Sequence, residues 1–107
     1  AVMLGANDYS TKPTPTDGQF IGGLVAFLKR IKKDYPKAKV VAMCSPHHEG
    51  KQCQNIRAAA NQVKVHYVYV DHSAYVSFGC DYHPSLQTQR NTANIVIPQF
   101  RKILGLK

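Results

Sequence analysis

Hydrophobic positions along the chain fall into three short runs that predict β-strands. Residues 1–4 are apolar and lead into a Gly-Ala-Asn-Asp turn, residues 39–43 carry two valines, and residues 63–70 are rich in valine and tyrosine. β-Branched and aromatic residues fit a pleated, buried surface, and turn residues follow the first two runs. The pattern therefore predicts three strands, and the first of them ends at the turn.

Apolar residues recur at helical spacing between these strands and after the last one. The first predicted helix follows the capping box Thr16-Asp17-Gly18-Gln19 and stops near Tyr35, before a proline. A second, shorter helix is predicted over residues 52–62. A third covers residues 85–104, where we expect Pro98 to kink the helix and a glycine to end it.

This alternation of strands and helices predicts an α/β fold, with a parallel sheet joined by right-handed crossovers. Helices on both faces would make it a three-layer α/β/α arrangement, in which functional groups gather at the carboxyl ends of the strands. Parallel sheets are normally buried and flanked. A sheet of only three strands would leave an edge open, so we expect residues 1–107 to be the C-terminal part of a single larger domain.

Composition and charge limit the classes of partner that we expect for this domain. The 107 residues are 44% hydrophobic and carry a net charge of +8. The basic residues concentrate near the end of the first predicted helix, where they complement the helix dipole, and no basic groove interleaved with aromatics accompanies them. We therefore expect no nucleic-acid partner. The chain also lacks a run of about 20 apolar residues, so no membrane span is predicted. The clustered basic residues are Lys29, Arg30, Lys32, Lys33, Lys37 and Lys39.

Two short motifs stand at the ends of predicted strands. Gly5-Ala6-Asn7-Asp8 ends the first strand, and Gly79-Cys80-Asp81-Tyr82-His83-Pro84 lies just before the last helix. Alone, each has a plainer interpretation, the first as a turn and the second as a helix flank. In this order and at corresponding strand ends, they resemble two sequence blocks of the SGNH/GDSL hydrolase superfamily, whose fold is flavodoxin-like. Residues 7–11 and 79–85 resemble most closely the acetyl-xylan esterases of carbohydrate esterase family two.

The resemblance implies a role for one residue of each motif. Asn7 would donate a side-chain hydrogen bond to the oxyanion, and His83 would act first as the general base on a serine and then as the acid. These roles agree with general chemistry, because ester attack by serine needs a base that titrates near neutral pH and fixed donors for the developing negative charge. Gly5 and Asp8 would support Asn7.

The residue that orients His83 departs from the common superfamily pattern. That pattern has an aspartate three residues before the histidine, and this position is Cys80 here. Asp81 lies only two residues away. The resemblance to family two implies that a main-chain carbonyl, such as that of Tyr82, orients the histidine instead.

The nucleophile of the family is missing from this sequence. Neither a Gly-Asp-Ser block nor a Gly-x-Ser-x-Gly elbow occurs, and the serines lie in predicted loops or helix caps. We therefore expect the serine on the N-terminal half of the same domain, carried either by a missing N-terminal segment or by a separate chain. The expected substrate is an acetylated polysaccharide or another ester. The alternative is a noncatalytic structural or binding subunit of a secreted complex. The loop and cap serines are Ser10, Ser45, Ser73, Ser77 and Ser85.

The cysteines and histidines allow several arrangements. Cys44, Cys53 and Cys80 fit a reduced protein or a secreted one with a single disulfide, and the resemblance favours secretion. Pairing of Cys44 with Cys53 and of Cys53 with Cys80 are both compatible with the spacing. The histidines show no ligand spacing, so no metal and no cofactor is expected. They are His47, His48, His66, His72 and His83.

Overall fold

The computed structural model describes residues 1–47 and 50–107, and two parallel strands form its centre. Strand β1 (Val41–Cys44) pairs in parallel with β2 (His66–Tyr69). Val2 adds an isolated parallel bridge to Ala42 on the other side of β1. The first predicted strand is thus reduced to one bridge, because the chain turns at Gly5 directly into a helix.

Four helices surround these strands in the described part of the chain. The capping box at the start of the longer N-terminal helix is confirmed: the Gln19 N–H donates to Thr16 Oγ1 at 3.3 Å, and the Thr16 N–H donates to Gln19 Oε1 at 2.9 Å. Gly105 ends the last helix in the left-handed conformation, as expected. The helices are α1 (Ala6–Ser10), α2 (Asp17–Asp34), α3 (Lys51–Val63) and α4 (Leu86–Leu104).

Several predicted boundaries were wrong. The turn around Asn7 is the short helix α1, and Val63 belongs to α3 rather than to the following strand. Lys64 ends α3 in the left-handed conformation with a φ of 57°, so a lysine occupies a position where glycine would have given a recognisable stop. Helix α4 runs from Leu86 to Leu104 with Pro98 inside it, and the kink expected at Pro98 stays a prediction.

A layer of helices covers each face of the strands. Helices α2 and α3 pack on one face, against Val40, Ala42 and Cys44, whereas α4 packs on the other face through Val96, against Val41 and other residues of both strands. This division follows from the strand geometry, because successive side chains point to opposite faces. The described residues therefore form a small α/β domain with helices on both sides of a parallel sheet.

A disulfide joins Cys44 to Cys53, which settles the pairing that the spacing left open. It links the end of β1 to the first turn of α3, and both half-cystines are buried in the α2/α3 cluster. Cys80 is free and exposed. Because such bonds persist in oxidising compartments, the disulfide is compatible with a secreted protein. None of the helices in the two described ranges combines the length and apolar character needed to cross a membrane.

Candidate active site

Asn7 and His83 line the same cleft at the carboxyl ends of the strands. Asn7 follows the Val2 bridge, Ser45 follows β1, and His83 lies on the segment after β2, so residues far apart in sequence meet at one edge of the sheet. The cleft has a volume of about 370 Å³. It is lined by Met3, Ala6, Asn7, Ser10, Ser45, His47, Asp81, Tyr82, His83 and Pro84.

His83 stands on a tight hairpin that the sequence did not predict. Phe78 and Pro84 form an antiparallel bridge, and the Gly79 N–H donates to the His83 carbonyl at 2.7 Å. Asp81 and Tyr82 at the tip have φ angles of 51° and 57°, and the His83 N–H donates to the Cys80 carbonyl at 3.0 Å. Positive φ at both central residues is the pattern of a type I′ hairpin turn, which favours asparagine, aspartate and glycine, so Tyr82 is the unusual residue of the pair.

The environment of the His83 ring is open. His83 is exposed, and no hydrogen bond from elsewhere in the described ranges reaches its ring. The Tyr82 carbonyl, which we expected to orient the ring, accepts a hydrogen bond from the Tyr75 hydroxyl at 3.1 Å. Asp81 lines the cleft and is also exposed. Orientation of His83 by the Tyr82 carbonyl stays a prediction.

Asn7 is exposed as well, but the helix α1 that carries it is tied to the protein core. Its carbonyl accepts from Thr11 Oγ1 at 2.8 Å, while no hydrogen bond within the described ranges engages its side-chain amide. Two residues further along, the Tyr9 ring packs edge to face on Phe20 with 5.0 Å between centroids. The buried Asn55 donates to the Tyr9 hydroxyl at 2.7 Å. This anchor fixes α1 and leaves the Asn7 amide available as a donor.

Gly5 lets the chain turn from the Val2 bridge into α1. Its φ is 110°, and a Cβ at this position would lie 2.9 Å from the edge of the Phe20 ring. Both the conformation and the close approach require glycine. Asp8, by contrast, lines a separate groove beside Leu4 and Phe27 on the α2 side, so it is not among the residues of the Asn7–His83 cleft.

No serine is paired with His83 in the described part of the chain. Ser10 and Ser45 line the cleft, but Ser10 Oγ donates to the Asn7 carbonyl at 3.3 Å and Ser45 Oγ accepts from the His47 N–H at 3.2 Å. Ser77 and Ser85 share a 2.6 Å hydrogen bond between their hydroxyls. A serine nucleophile needs a base within hydrogen-bond reach.

The described histidines do not form a metal site, although His47 lines one cleft with His83 and an adjoining cleft with His72. His66 begins β2, at the opposite end of the strand from the cleft, and His72 packs against Tyr75. Across residues 1–47 and 50–107, no group of three or more His, Cys, Asp or Glu side chains is placed to hold a metal ion. His48 lies outside the described residues.

Two supporting residues were not predicted from the sequence. Asn55 lies on the buried face of α3 and ties α1 to the start of α2. Thr88, fully buried on α4, accepts the N–H groups of Val76 and Ser77 at 3.2 Å. The sequence signal that could have found them is a polar residue within the apolar face of a helix, because a buried polar group normally has a hydrogen-bond partner.

Comparison with known proteins found no matching protein-family model, curated protein or solved structure.

Proposed function

We propose that this chain is the C-terminal segment of a serine-histidine carbohydrate O-acetyl esterase with the three-layer SGNH fold. The observation that carries the proposal is the single cleft lined by both Asn7 and His83. The two motifs are separated by most of the chain, yet their side chains face one space at the strand ends, where ligands bind in open α/β sheets.

Asn7 and His83 each have a defined step in this reaction. His83 removes the proton of the serine hydroxyl, and the serine oxygen attacks the carbonyl carbon of the acetyl ester. The Asn7 amide donates to the oxygen that becomes negative. When the tetrahedral intermediate collapses, His83 gives the proton to the departing sugar oxygen, and water then releases acetate from the serine by the same route in reverse.

The serine lies on the N-terminal half of the same domain, outside residues 1–107. Support for this partner comes from the edge beside Val2. The Val2 N–H donates to the Val41 carbonyl at 2.7 Å, and the Val2 carbonyl accepts from Met43 at 2.8 Å, so both groups of this residue face β1. The next residues, Met3 and Leu4, are exposed apolar side chains. An added strand would cover them and bring its own carboxyl end to the cleft.

The disulfide supports secretion, where an acetylated polysaccharide is an accessible substrate. The test is acetate release from acetylated xylan by this chain, alone and mixed with a segment carrying a Gly-Asp-Ser serine. We expect release only from the mixture. Release by the chain alone that disappears in Ser45→Ala or Ser10→Ala would place the nucleophile within the chain and refute the partner.

The mixture also tests the two assigned residues. His83→Ala should abolish acetate release, and Asn7→Ala should lower kcat by about 10²–10³-fold, the usual loss for one oxyanion donor. His66→Ala is the matched control, because His66 is exposed at the opposite end of β2 and should leave the rate unchanged. Unchanged release in His83→Ala would refute the catalytic assignment.

One observation favours a noncatalytic scaffold as the second candidate. The His83 ring lacks an orienting hydrogen bond within the described ranges, whereas working catalytic histidines are held by a third group. In that case the partner would bind without any acetate release, and a partner whose serine is replaced would bind equally well. Measuring complex formation and acetate release over the same range of partner concentrations separates the two candidates.

A further inference from the structure

We propose that a second cleft, beside the one formed by Asn7 and His83, binds an uncharged sugar unit of the polysaccharide. This aromatic cleft has a volume of about 320 Å³. The choice of a sugar as ligand rests on the proposed esterase function, whereas the site itself rests on the arrangement of aromatic rings around the cleft. The aromatic cleft is lined by His47, His72, Tyr75, Val76, Ser77 and Phe78.

Four rings follow one another along the segment between β2 and α4. His72 stacks on Tyr75 with 6.2 Å between centroids and 5° between planes. Tyr75 meets Phe78 edge to face at 5.2 Å, and Phe78 meets Tyr82 in the same way at 5.9 Å. The rings form a continuous ladder, which ends at the residue next to His83.

The outer rings of this ladder face solvent. Phe78 is 60% exposed and Tyr82 is 77% exposed, although burial of such rings contributes strongly to stability elsewhere in proteins. Neighbouring exposed apolar residues of this size mark binding surfaces. Aromatic rings suit that task because they offer a large contact area with only two side-chain torsions to immobilise.

The ladder is held in place before any ligand arrives. The Tyr75 hydroxyl donates to the Tyr82 carbonyl at 3.1 Å, and His72 Nδ1 lies 2.8 Å from the Pro46 carbonyl. Because a carbonyl only accepts, we assign the proton of His72 to Nδ1, which leaves Nε2 as an acceptor. Thr88 fixes the backbone of the same segment from below. A preformed site of this kind loses little entropy on binding.

Among the described residues, those that line the aromatic cleft include no lysine, arginine, aspartate or glutamate. Nucleic acids require cations to neutralise their phosphates, and the basic cluster of this chain begins at Lys29 on α2 instead. A pyranose combines an apolar C–H face, which stacks on an aromatic ring, with hydroxyls that donate to acceptors such as His72 Nε2. The lining therefore matches an uncharged sugar.

The two clefts adjoin at His47, which lines both of them. A polysaccharide that rests on the Phe78 ring in the aromatic cleft would extend past this residue to the Tyr82 ring and the acetylated sugar at His83 in the neighbouring cleft. The aromatic cleft then determines which stretch of the chain is deacetylated, while Asn7 and His83 act on the ester.

Affinity electrophoresis of the chain alone tests this site without requiring a serine. The native gel contains a soluble uncharged polysaccharide, either arabinoxylan or hydroxyethyl cellulose. We expect retardation by at least one of them, and Tyr82→Gly or Phe78→Ala should weaken binding by at least about tenfold. Tyr82→Gly should fold, because glycine readily adopts the φ of 57° at this position. Tyr35→Ala, which removes an equally exposed ring at the end of α2, should bind like the wild type.

The outcomes separate this site from the proposed reaction. Retardation that survives both ring substitutions, or no retardation of the wild type in either gel, would refute the aromatic cleft. Stronger retardation in a third gel that contains an anionic polysaccharide, lost as NaCl is raised, would refute an uncharged ligand. Sugar binding without acetate release from the complemented protein would refute the esterase function and leave the sugar site standing.

Discussion

The two halves of the candidate active site are held in different ways. Asn7 lies on a short helix that is tied to the α2/α3 core through Tyr9, by a buried hydrogen bond and an aromatic contact. His83 lies on a hairpin held by main-chain hydrogen bonds and by Thr88 beneath it, with exposed rings around it. The oxyanion donor is therefore positioned by tertiary packing, and the histidine by local backbone geometry.

This difference suggests which half adapts to a partner. Packed interiors resist displacement, whereas segments with few buried apolar contacts open more readily. We expect the Asn7 side to remain fixed when a serine-bearing segment binds, and the His83 hairpin to make the adjustment that brings the ring into contact with the serine.

The largest expected effect is the loss of packing on the Asn7 side. Leu28 lies on α2 and is fully buried in the cluster that α2 forms with α3. Leu28→Ala should therefore lower the free energy of unfolding by about 2–5 kcal/mol. Leu86→Ala, at an exposed leucine close to the hairpin, is the control and should change stability little. Chemical denaturation measures both. Equal losses in the two variants would contradict the assignment of the main core.

A smaller effect is expected where Thr88 supports the hairpin. Thr88→Val keeps the shape but leaves the Val76 and Ser77 N–H groups without their acceptor, which should cost about 1–3 kcal/mol. Hydrogen exchange should accelerate at these two amides and stay unchanged at the Tyr9 amide of α1. Thr92→Val, whose hydroxyl bonds only to its own helix, is the control. Uniform acceleration would show that the two halves are not independent.

A gain in stability is expected at Gln52. Its side chain is 2% exposed, and neither amide atom has a hydrogen-bond partner in the described structure. Gln52→Met removes the polar group at similar volume and should raise the free energy of unfolding by about 1 kcal/mol. Gln54→Met, at an exposed position of the same helix, should have little effect. A loss of stability in Gln52→Met would indicate a buried water that satisfies the amide.

The smallest effect concerns the exposed ion pair beside α1. Hydrogen bonds from Lys51 and Asn55 hold the pKa of Asp17 below its ordinary value. The stabilisation is present above the unfolded pKa and is lost as the pH falls through the folded one. Asp17→Asn should therefore destabilise slightly at neutral pH and no longer do so in acid. Urea denaturation of the wild type and of Asp17→Asn, at pH values from acid to neutral, measures this difference. The same comparison in a Lys51→Met background would show whether the ion pair is responsible.

The elements that the sequence predicts best are those with local signals. The capping box at Thr16 and the terminal Gly105 marked real helix ends, because capping depends on residues within one turn. The helical spacing of apolar residues also located α3 and α4. The class of fold followed from the order of these elements.

The hairpin under His83 had no such signal. Its tip is formed by Asp81 and Tyr82 instead of an Asn-Gly pair, and it is stabilised from another element through Thr88. The anchoring of α1 through Asn55 likewise joins residues 46 positions apart. Such long-range contacts depend on the assembled fold. The sequence predicted that Asn7 and His83 belong to one site, but not how either is held.

The state of the cysteines makes the proposed site directly observable. Two of the three cysteines form the Cys44–Cys53 disulfide, so Cys80 on the hairpin is the single reactive thiol, three positions from His83. An environment-sensitive fluorophore can therefore be attached there without any engineering of the chain. Its emission would report hairpin movement in real time as a partner or a polysaccharide binds.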